Sequence, residues 1–253
     1  MRIWRLFPSY IFLSTALVCF GQQQGGDHVV RVPDGGQSGA MESIFVPPKA
    51  GAPFSLTLYT EWKRPIGNGG TITFTNERRI VRDSKGRIFQ ERAALAPKNT
   101  NLKSSVTTIQ ITDPAKHTWY NCVVAAKVCE LYGYRLSTTD KFGPLRDGNL
   151  VYEGGSSQDE DLGVSSTLGV DTHGYRETRT VNPGVSGNDQ PLVSVREFWY
   201  SPHLAFNLIS IVDNPFSGHQ VFTARDLNTA EPDAAMFEIP AGFAVADHRA
   251  EEK

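Results

Sequence analysis

The chain lacks a surplus of charge of either sign. Its 253 residues include 25 Lys and Arg against 27 Asp and Glu, which gives a formal net charge of −2 at pH 7. Proteins that bind nucleic acid, or that lie on an anionic membrane surface, normally carry a basic patch. This balance therefore indicates neither kind of partner. The 40% of hydrophobic residues excludes a chain that is disordered throughout.

Motifs of catalysis and of metal binding are also absent. The three cysteines form no C-x2-C pair, and the six histidines form neither H-x-H nor H-E-x-x-H, so the spacing of a zinc site is missing. Asp171 and His173 lie two residues apart on a predicted strand, but no G-x-S-x-G elbow accompanies them. A polar strand face explains both residues. The sequence therefore predicts no enzyme activity, no metal and no cofactor.

A long apolar run is missing after the first 21 residues. Within them, a short basic start precedes an apolar stretch at residues 10–20 that is too short for a stable membrane anchor. Residues 1–21 are therefore interpreted as the signal peptide of a periplasmic or secreted protein, whose mature chain begins near Gln22 and has no transmembrane span. A lipoprotein signal that modifies Cys19 is the second interpretation, and an uncleaved anchor is the third.

Export changes the meaning of the remaining cysteines. Once Cys19 is removed, Cys122 and Cys129 are the only pair, and an oxidising compartment favours joining them. A redox-active pair is the other interpretation, but such pairs usually have the C-x-x-C spacing. The C-x6-C spacing therefore predicts a structural disulfide.

The rest of the chain divides into a lead-in and one β domain. Residues 22–48 are rich in Gly, Gln and Pro, which predicts a flexible linker. Residues 49–247 form the predicted domain, and residues 248–253 form a C-terminal tail. Residues 137–161 are the longest stretch without periodicity. They carry few large apolar side chains and are predicted to be a mobile loop.

The domain itself has the pattern of a series of strands. Apolar and polar residues alternate in residues 54–62, as in a half-buried antiparallel strand. D-S-K-G at residues 83–86 predicts a tight hairpin in which Gly86 takes a positive φ. About ten such strands, separated by turn signals, predict an all-β fold. We expect a strongly curved antiparallel meander sheet or a half-open barrel, with almost no helix.

Several motifs resemble a known group of proteins. D-S-K-G-R-I-F-Q-E-R at residues 83–92 and E-P-D-A-A-M-F-E-I-P-A-G-F at residues 231–243 are similar to uncharacterised secreted bacterial proteins of an acidobacterial type. More distantly, the order of hairpins, long loop and F-x-x-P-x-G-F resembles periplasmic lipoprotein carriers of the LolA/LolB type. That resemblance implies an open, strongly curved sheet around an apolar cavity. The helices that close such a cavity in the carriers are nearly absent from this sequence.

One predicted strand, at residues 204–211, is apolar on both faces. In an open sheet with almost no helix, one of these faces must meet something else. We therefore expect a concave apolar face for a lipid-like ligand or a lipoprotein, with five ligand-binding residues: Trp62, Trp199, Leu204, Phe206 and Leu208. Trp199 either forms part of an aromatic platform for the ligand or covers the rim of the sheet. The alternative function is a structural or protein-interaction component of the cell envelope without a small ligand.

Overall fold

The computed structural model describes residues 44–134 and 148–249. In this part of the chain all regular structure is β, apart from one 3-10 turn at Ala234–Phe237. The strands are β1 (Phe54–Pro65), β2 (Thr71–Arg82), β3 (Ile88–Ala93), β4 (Ala96–Pro97), β5 (Val106–Asp113), β6 (Thr118–Val123), β7 (Val128–Gly133), β8 (Gly148–Tyr152), β9 (Gly155–Thr167), β10 (Val170–Val181), β11 (Leu192–Ser201), β12 (Phe206–Asn214), β13 (Gly218–Asn228) and β14 (Ala244–Asp247). They form one open, curved sheet, so the predicted all-β class is confirmed.

The sheet consists of two meanders joined at its centre. One runs from β1 through β2, β3, β5 and β6 to β7, and the other runs from β8 to β13. Their first and last strands, β1 and β13, pair antiparallel along most of their length. The sheet differs from the expectation in two ways: the described residues form fourteen strands rather than about ten, and β14 runs parallel to β7 at one edge. Of the added strands, β4, β8 and β14 are short, whereas β9 has 13 residues and pairs with both β8 and β10.

The hairpin between β2 and β3 shows how local sequence sets the register. The Asp83 carboxylate accepts hydrogen bonds from the backbone N–H groups of Lys85 at 3.0 Å and Arg87 at 2.7 Å. It also pairs with the Arg87 guanidinium at 2.7 Å. Gly86 has a φ of +82°, which a side chain would strain. The predicted D-S-K-G hairpin is therefore confirmed.

The main hydrophobic core lies on one side of the sheet. Face A denotes the side that carries Phe54, Leu58 and Ile80, and face B denotes the other side. The core cluster on face A contains Ile44, Val46, Phe54, Leu56, Leu58, Ile80, Ile88, Leu204, Phe206, Leu208, Phe222 and Ala224. It joins both meanders to the segment that precedes β1.

That preceding segment corrects the predicted linker. Ile44 and Val46 are each only 2% exposed and belong to the core. The linker prediction is therefore wrong for residues 44–48, because their two apolar side chains cover the centre of face A. Residues 22–43 lie outside the described residues.

A smaller cluster lies on face B, under the 3-10 turn. Phe237 of that turn packs with Val81, Phe89 and Ile111. Cys122 and Cys129 face each other across β6 and β7 and are joined by a disulfide, so the predicted pairing is confirmed.

Only the second part of the predicted mobile loop lies within the described residues. Residues 137–147 lie outside the described residues, but residues 148–161 belong to β8 and β9. The loop prediction is therefore wrong for this second part. β9 pairs with β10 over twelve positions, while many of its side chains are exposed on both faces. A strand exposed on both faces has no alternation of apolar and polar residues, which is why the pattern of residues 155–161 did not indicate a strand.

Candidate functional site

A row of polar side chains crosses face A next to the hydrophobic core. Gln90 in β3 lies opposite Ile80 in β2, Gln110 in β5 lies opposite Gln90, and Asn121 in β6 lies opposite Gln110. Directly opposed residues of antiparallel strands point to the same face. These amides therefore extend face A from its apolar centre toward β7.

Two arginines belong to the same row. Arg78 and Arg92 lie two residues along their strands from Ile80 and Gln90, so they also point to face A. They are 4% and 2% exposed, respectively. Arg92 Nε donates to Gln110 Oε1 at 2.7 Å, and Gln110 Nε2 donates to Asn121 Oδ1 at 3.1 Å. Together, these residues form the polar row: Arg78, Gln90, Arg92, Gln110 and Asn121.

Further polar atoms are buried beside the polar row. Thr112 and Trp119 lie opposite each other on β5 and β6. Thr112 Oγ1 and Trp119 Nε1 are buried without a hydrogen-bond partner, as is Asn76 Oδ1 on β2. Leaving such atoms unpaired costs about 1–3 kcal/mol each, whereas apolar side chains of similar volume would avoid the cost. This region of face A is therefore a candidate for binding a polar group.

Trp62, one of the predicted ligand-binding residues, lies on face A with the pair of Thr60 and Asn76 between it and the polar row. It faces Phe74 across β1 and β2, with ring centroids 6.0 Å apart. Asn76 is the next face A position on β2. Trp62 Nε1 donates to the carbonyl oxygen of Ser217 at 2.6 Å, which fixes the indole. The aromatic pair is an apolar surface on the same face, beyond Asn76.

Three other predicted residues lie inside the core. Leu204, Phe206 and Leu208 are at most 1% exposed. The ring of Phe206 lies 5.4 Å from that of Phe54, and all three side chains belong to the face A cluster. The chain's own residues therefore fill the apolar centre that was expected to receive a ligand. Contact of these three with a ligand stays a prediction, and they lie outside the polar row.

Trp199 lies on face B, away from the polar row. It packs over Gly174, where an added Cβ would lie 2.8 Å from the indole Cη2 atom. Trp199 Nε1 donates to Glu197 at 3.0 Å, and the Arg176 guanidinium bridges Glu197 and Glu160 at 2.9 Å each. Of the two interpretations of Trp199, this geometry favours the one in which the ring covers the sheet, because the ring fills the space above Gly174.

Arg82 is a buried arginine of face A with a structural role. It is 0% exposed and donates to the carbonyl oxygens of Pro47 at 2.8 Å, of Ala52 at 2.8 and 3.0 Å, and of Leu204 at 2.6 Å. Burial lowers the pKa of Arg82 to about 10. The guanidinium joins β2 to the segment before β1 and to the turn before β12.

A second polar region of face A lies between β10, β11 and β12. It is a cleft of about 120 Å³ lined by Glu177, Arg179, Ser194, Arg196, Val212 and Asn214. Arg179 pairs with Glu177 at 2.9 Å, and burial lowers the pKa of Arg196. The cleft is smaller than the roughly 300 Å³ of typical small-molecule pockets. It fits a small polar group better than an acyl chain.

His173 is held in a chain of three side chains at a bulge between β9 and β10. Its Nε2 atom lies 2.5 Å from Asp161, and its Nδ1 atom lies 2.8 Å from the hydroxyl of Tyr175. The backbone N–H of Gly163 and the His173 ring both lower the pKa of the Asp161 carboxyl. Asp161, rather than Asp171, is therefore the carboxylate that contacts His173. The contacts hold the bulge in place.

Glu61, on face B, is a carboxylate with three partners. It accepts from Lys98 at 2.6 Å and from the Tyr59 hydroxyl at 3.1 Å, and it pairs with Lys63 at 3.2 Å. Chiefly through the hydrogen bond from Lys98, the pKa of Glu61 falls from its ordinary value of 4.5 to about 2.

Neither a metal cluster nor a membrane-spanning helix is found among the described residues. Within residues 44–134 and 148–249, no group of three or more His, Cys, Asp or Glu side chains is placed to hold a metal ion. In the same part of the chain, no helix is long and apolar enough to cross a membrane.

The polar row was missed at the level of sequence. β2 reads N-E-R-R-I-V-R at residues 76–82, with charged residues at neighbouring positions, so its polarity alone does not show which face is buried. The apolar Ile80 and Ile88 were the available signal. Counting in steps of two from either residue places Arg78 and Arg92 on the core side.

Comparison with known proteins gives a likeness of fold at low similarity. No family model matches the chain, and no curated protein matches it. An uncharacterised conserved protein from Thermus thermophilus is 7% identical, with a TM-score of 0.40, over 78% of this chain and 91% of that one. A chain in the complex of MucA and MucB from Pseudomonas aeruginosa is 14% identical, with a TM-score of 0.37, over 75% of this chain and 56% of that one.

A LolA superfamily protein from Nitrosomonas europaea is 8% identical, with a TM-score of 0.29, over 74% of this chain and 90% of that one. At these identities and TM-scores, none of these likenesses transfers an activity or a ligand to this chain. Kinship with secreted proteins of an acidobacterial type stays a prediction.

Proposed function

We propose that the chain is an exported, non-catalytic binding module that carries a lipid-like ligand on face A. The observation that supports this function is the polar row, which is buried beside a hydrophobic core, with Trp62 and Phe74 beyond Asn76 on the same face. A lipid-like molecule has a polar end and an apolar part. The row matches the first, and the aromatic pair matches the second. Export follows from the predicted signal peptide at residues 1–21.

Buried polar atoms beside the row support this proposal. Asn76 Oδ1, Thr112 Oγ1 and Trp119 Nε1 have no hydrogen-bond partner, at a cost of about 1–3 kcal/mol each. Residues that reduce stability while packing correctly are concentrated at functional sites. A bound polar group that pairs with these atoms therefore explains their position better than packing does.

Native mass spectrometry of the protein purified from an exporting host tests the function. We expect an additional lipid-sized mass, together with binding of a fluorescent lipid analogue by the delipidated protein. Trp62→Phe should weaken this binding, because it removes the indole of the aromatic pair. Trp199→Phe on face B is the matched control and should bind normally. Protein that carries no added mass and does not bind the analogue would rule out the carrier function.

Interaction with an envelope protein is the second candidate function, and the edge strand β8 favours it. Leu150 and Val151 of this strand are 63% and 82% exposed, and within the described part of the chain β8 pairs with β9 alone. An exposed apolar edge strand can pair with a strand of another protein. Val151→Lys should abolish such pairing in a crosslinking assay on intact cells and leave lipid binding unchanged. Crosslinks that persist in the variant would exclude β8 as the contact.

A further inference from the structure

Two buried hydrogen-bond donors lie at facing positions on β5 and β6. Thr112 pairs with Trp119 in the ladder between these strands, and both side chains point to face A. The two residues are 1% and 9% exposed. Thr112 Oγ1 and Trp119 Nε1 have no hydrogen-bond partner. Because the side chains of directly opposed residues are neighbours, a single acceptor atom between them can receive hydrogen bonds from both groups.

The amides beside this pair are joined to other groups. Gln110 and Asn121 lie two residues from Thr112 and Trp119 on the same strands, so they share face A. Gln110 Nε2 donates to Asn121 Oδ1 at 3.1 Å, and Gln110 Oε1 accepts from Arg92 Nε at 2.7 Å. The donors of Thr112 and Trp119 are therefore left unpaired by the described residues, although polar groups surround them.

The charge of the surroundings favours an uncharged acceptor. β5, β6 and β7 contain no Lys or Arg residue. Glu130 lies opposite Asn121, and its carboxylate accepts a hydrogen bond from the Tyr132 hydroxyl at 3.0 Å. A phosphate or carboxylate bound at this end of face A would be repelled by Glu130 and would meet no cation on these three strands. A neutral oxygen, such as the carbonyl oxygen of an ester, avoids this repulsion.

Aromatic rings provide an apolar surface beside the two donors. Trp119 lies opposite Tyr132, with ring centroids 5.3 Å apart, and the Tyr132 ring stacks on His248 at 5.2 Å. Tyr132 and His248 are half-buried, so the donors are approached from this side. We propose that the ester carbonyl of an uncharged acyl lipid binds to Thr112 and Trp119, with its acyl chain against these rings. The proposal rests on the binding function proposed above and specifies which chemical group is recognised.

The test uses three probes titrated by calorimetry into the delipidated exported protein: monooctanoyl glycerol, 1-O-octyl glycerol and octanoate. The ether lacks the carbonyl oxygen of the ester, and octanoate carries a charge instead of the neutral headgroup. We expect the ester to bind about tenfold more tightly than the other two. Thr112→Val and Trp119→Phe should each weaken ester binding about fivefold, as expected for loss of one hydrogen bond, and leave ether binding unchanged.

Thr118→Val is the matched control for Thr112→Val. Thr118 Oγ1 is also buried without a partner, but Thr118 lies next to Trp119 along β6 and therefore points to face B. The control should bind the ester as the wild type does. Weakening of ester binding by Thr118→Val to the same extent as by Thr112→Val would overturn the site.

Stability separates a binding role from a packing role. Thr112→Val removes an unpaired buried hydroxyl, so the ligand-free variant should melt at or above the temperature of the wild type. Thr112→Ser keeps the hydroxyl and should keep the preference for the ester, which leaves the experiment interpretable if Trp119→Phe unfolds. Equal binding of ester and ether, or tighter binding of octanoate, would overturn the carbonyl site and leave the carrier function standing. Binding of none of the three probes would overturn both.

Discussion

Arg82 connects three segments of the fold through one guanidinium, and replacing it with methionine should be strongly destabilising. Methionine fills a similar apolar volume but donates no hydrogen bonds. The carbonyl oxygens of Pro47, Ala52 and Leu204 would then be buried without their present donor. Each unsatisfied buried group costs about 1–3 kcal/mol. Part of this is recovered, because the variant no longer buries a charge, a cost that shows in the pKa of Arg82 near 10.

The net loss expected for Arg82→Met is about 3–5 kcal/mol in the free energy of unfolding. For a domain of this size, that corresponds to a fall of roughly 10 °C in the melting temperature. Urea unfolding followed by tryptophan fluorescence, with the disulfide intact, measures it. Arg225→Met is the matched control, because its pair with Glu77 is half exposed and worth about 0–1 kcal/mol. A loss below about 1 kcal/mol for Arg82→Met would refute the reasoning.

Three further predictions concern face B and the disulfide. The lowered pKa of Glu61 contributes stability that is present above about pH 4.5 and is lost as the pH falls toward 2. Glu61→Gln should therefore lose less stability over that pH range, as measured by thermal melting. Gly174→Ala should cost about 1–2 kcal/mol in urea unfolding, because its Cβ would displace the Trp199 ring. Replacing Cys122 and Cys129 with alanine should cost about 2–3 kcal/mol, and thiol titration of the denatured mature protein should find no free thiol.

Much of the fold could be predicted because its signals are local. The alternation of apolar and polar residues at 54–62 corresponds to β1, whose alternate side chains are buried on face A. The turn chemistry of Asp83 and Gly86 predicts the hairpin that the structure shows. The disulfide followed from export and from the count of cysteines. Each of these inferences needs only the neighbouring residues or the compartment.

The errors arose where distant residues decide the outcome. Ile44 and Val46 sit in a Pro- and Gly-rich context that predicts a linker, yet the open centre of face A gives them a place to pack. β9 is held by its ladder with β10 rather than by burial, so its sequence lacks periodicity. Of the predicted strand at residues 204–211, residues 206–211 belong to β12, and Leu204 lies in the turn before it. What the apolar pattern could not show is that the chain itself supplies the cover for Phe206 and Leu208.

The buried arginines of face A show why burial alone does not identify a binding residue. Arg82 directs its donors to three backbone carbonyl oxygens that are fixed by the fold, so its charge is stabilised by structure that is always present. Arg92 contacts a side-chain amide instead, because its Nε atom donates to Gln110 Oε1. The two cases predict different behaviour. Loss of Arg82 should lower stability whether or not ligand is present, whereas ligand should stabilise the wild type more than it stabilises Arg92→Gln.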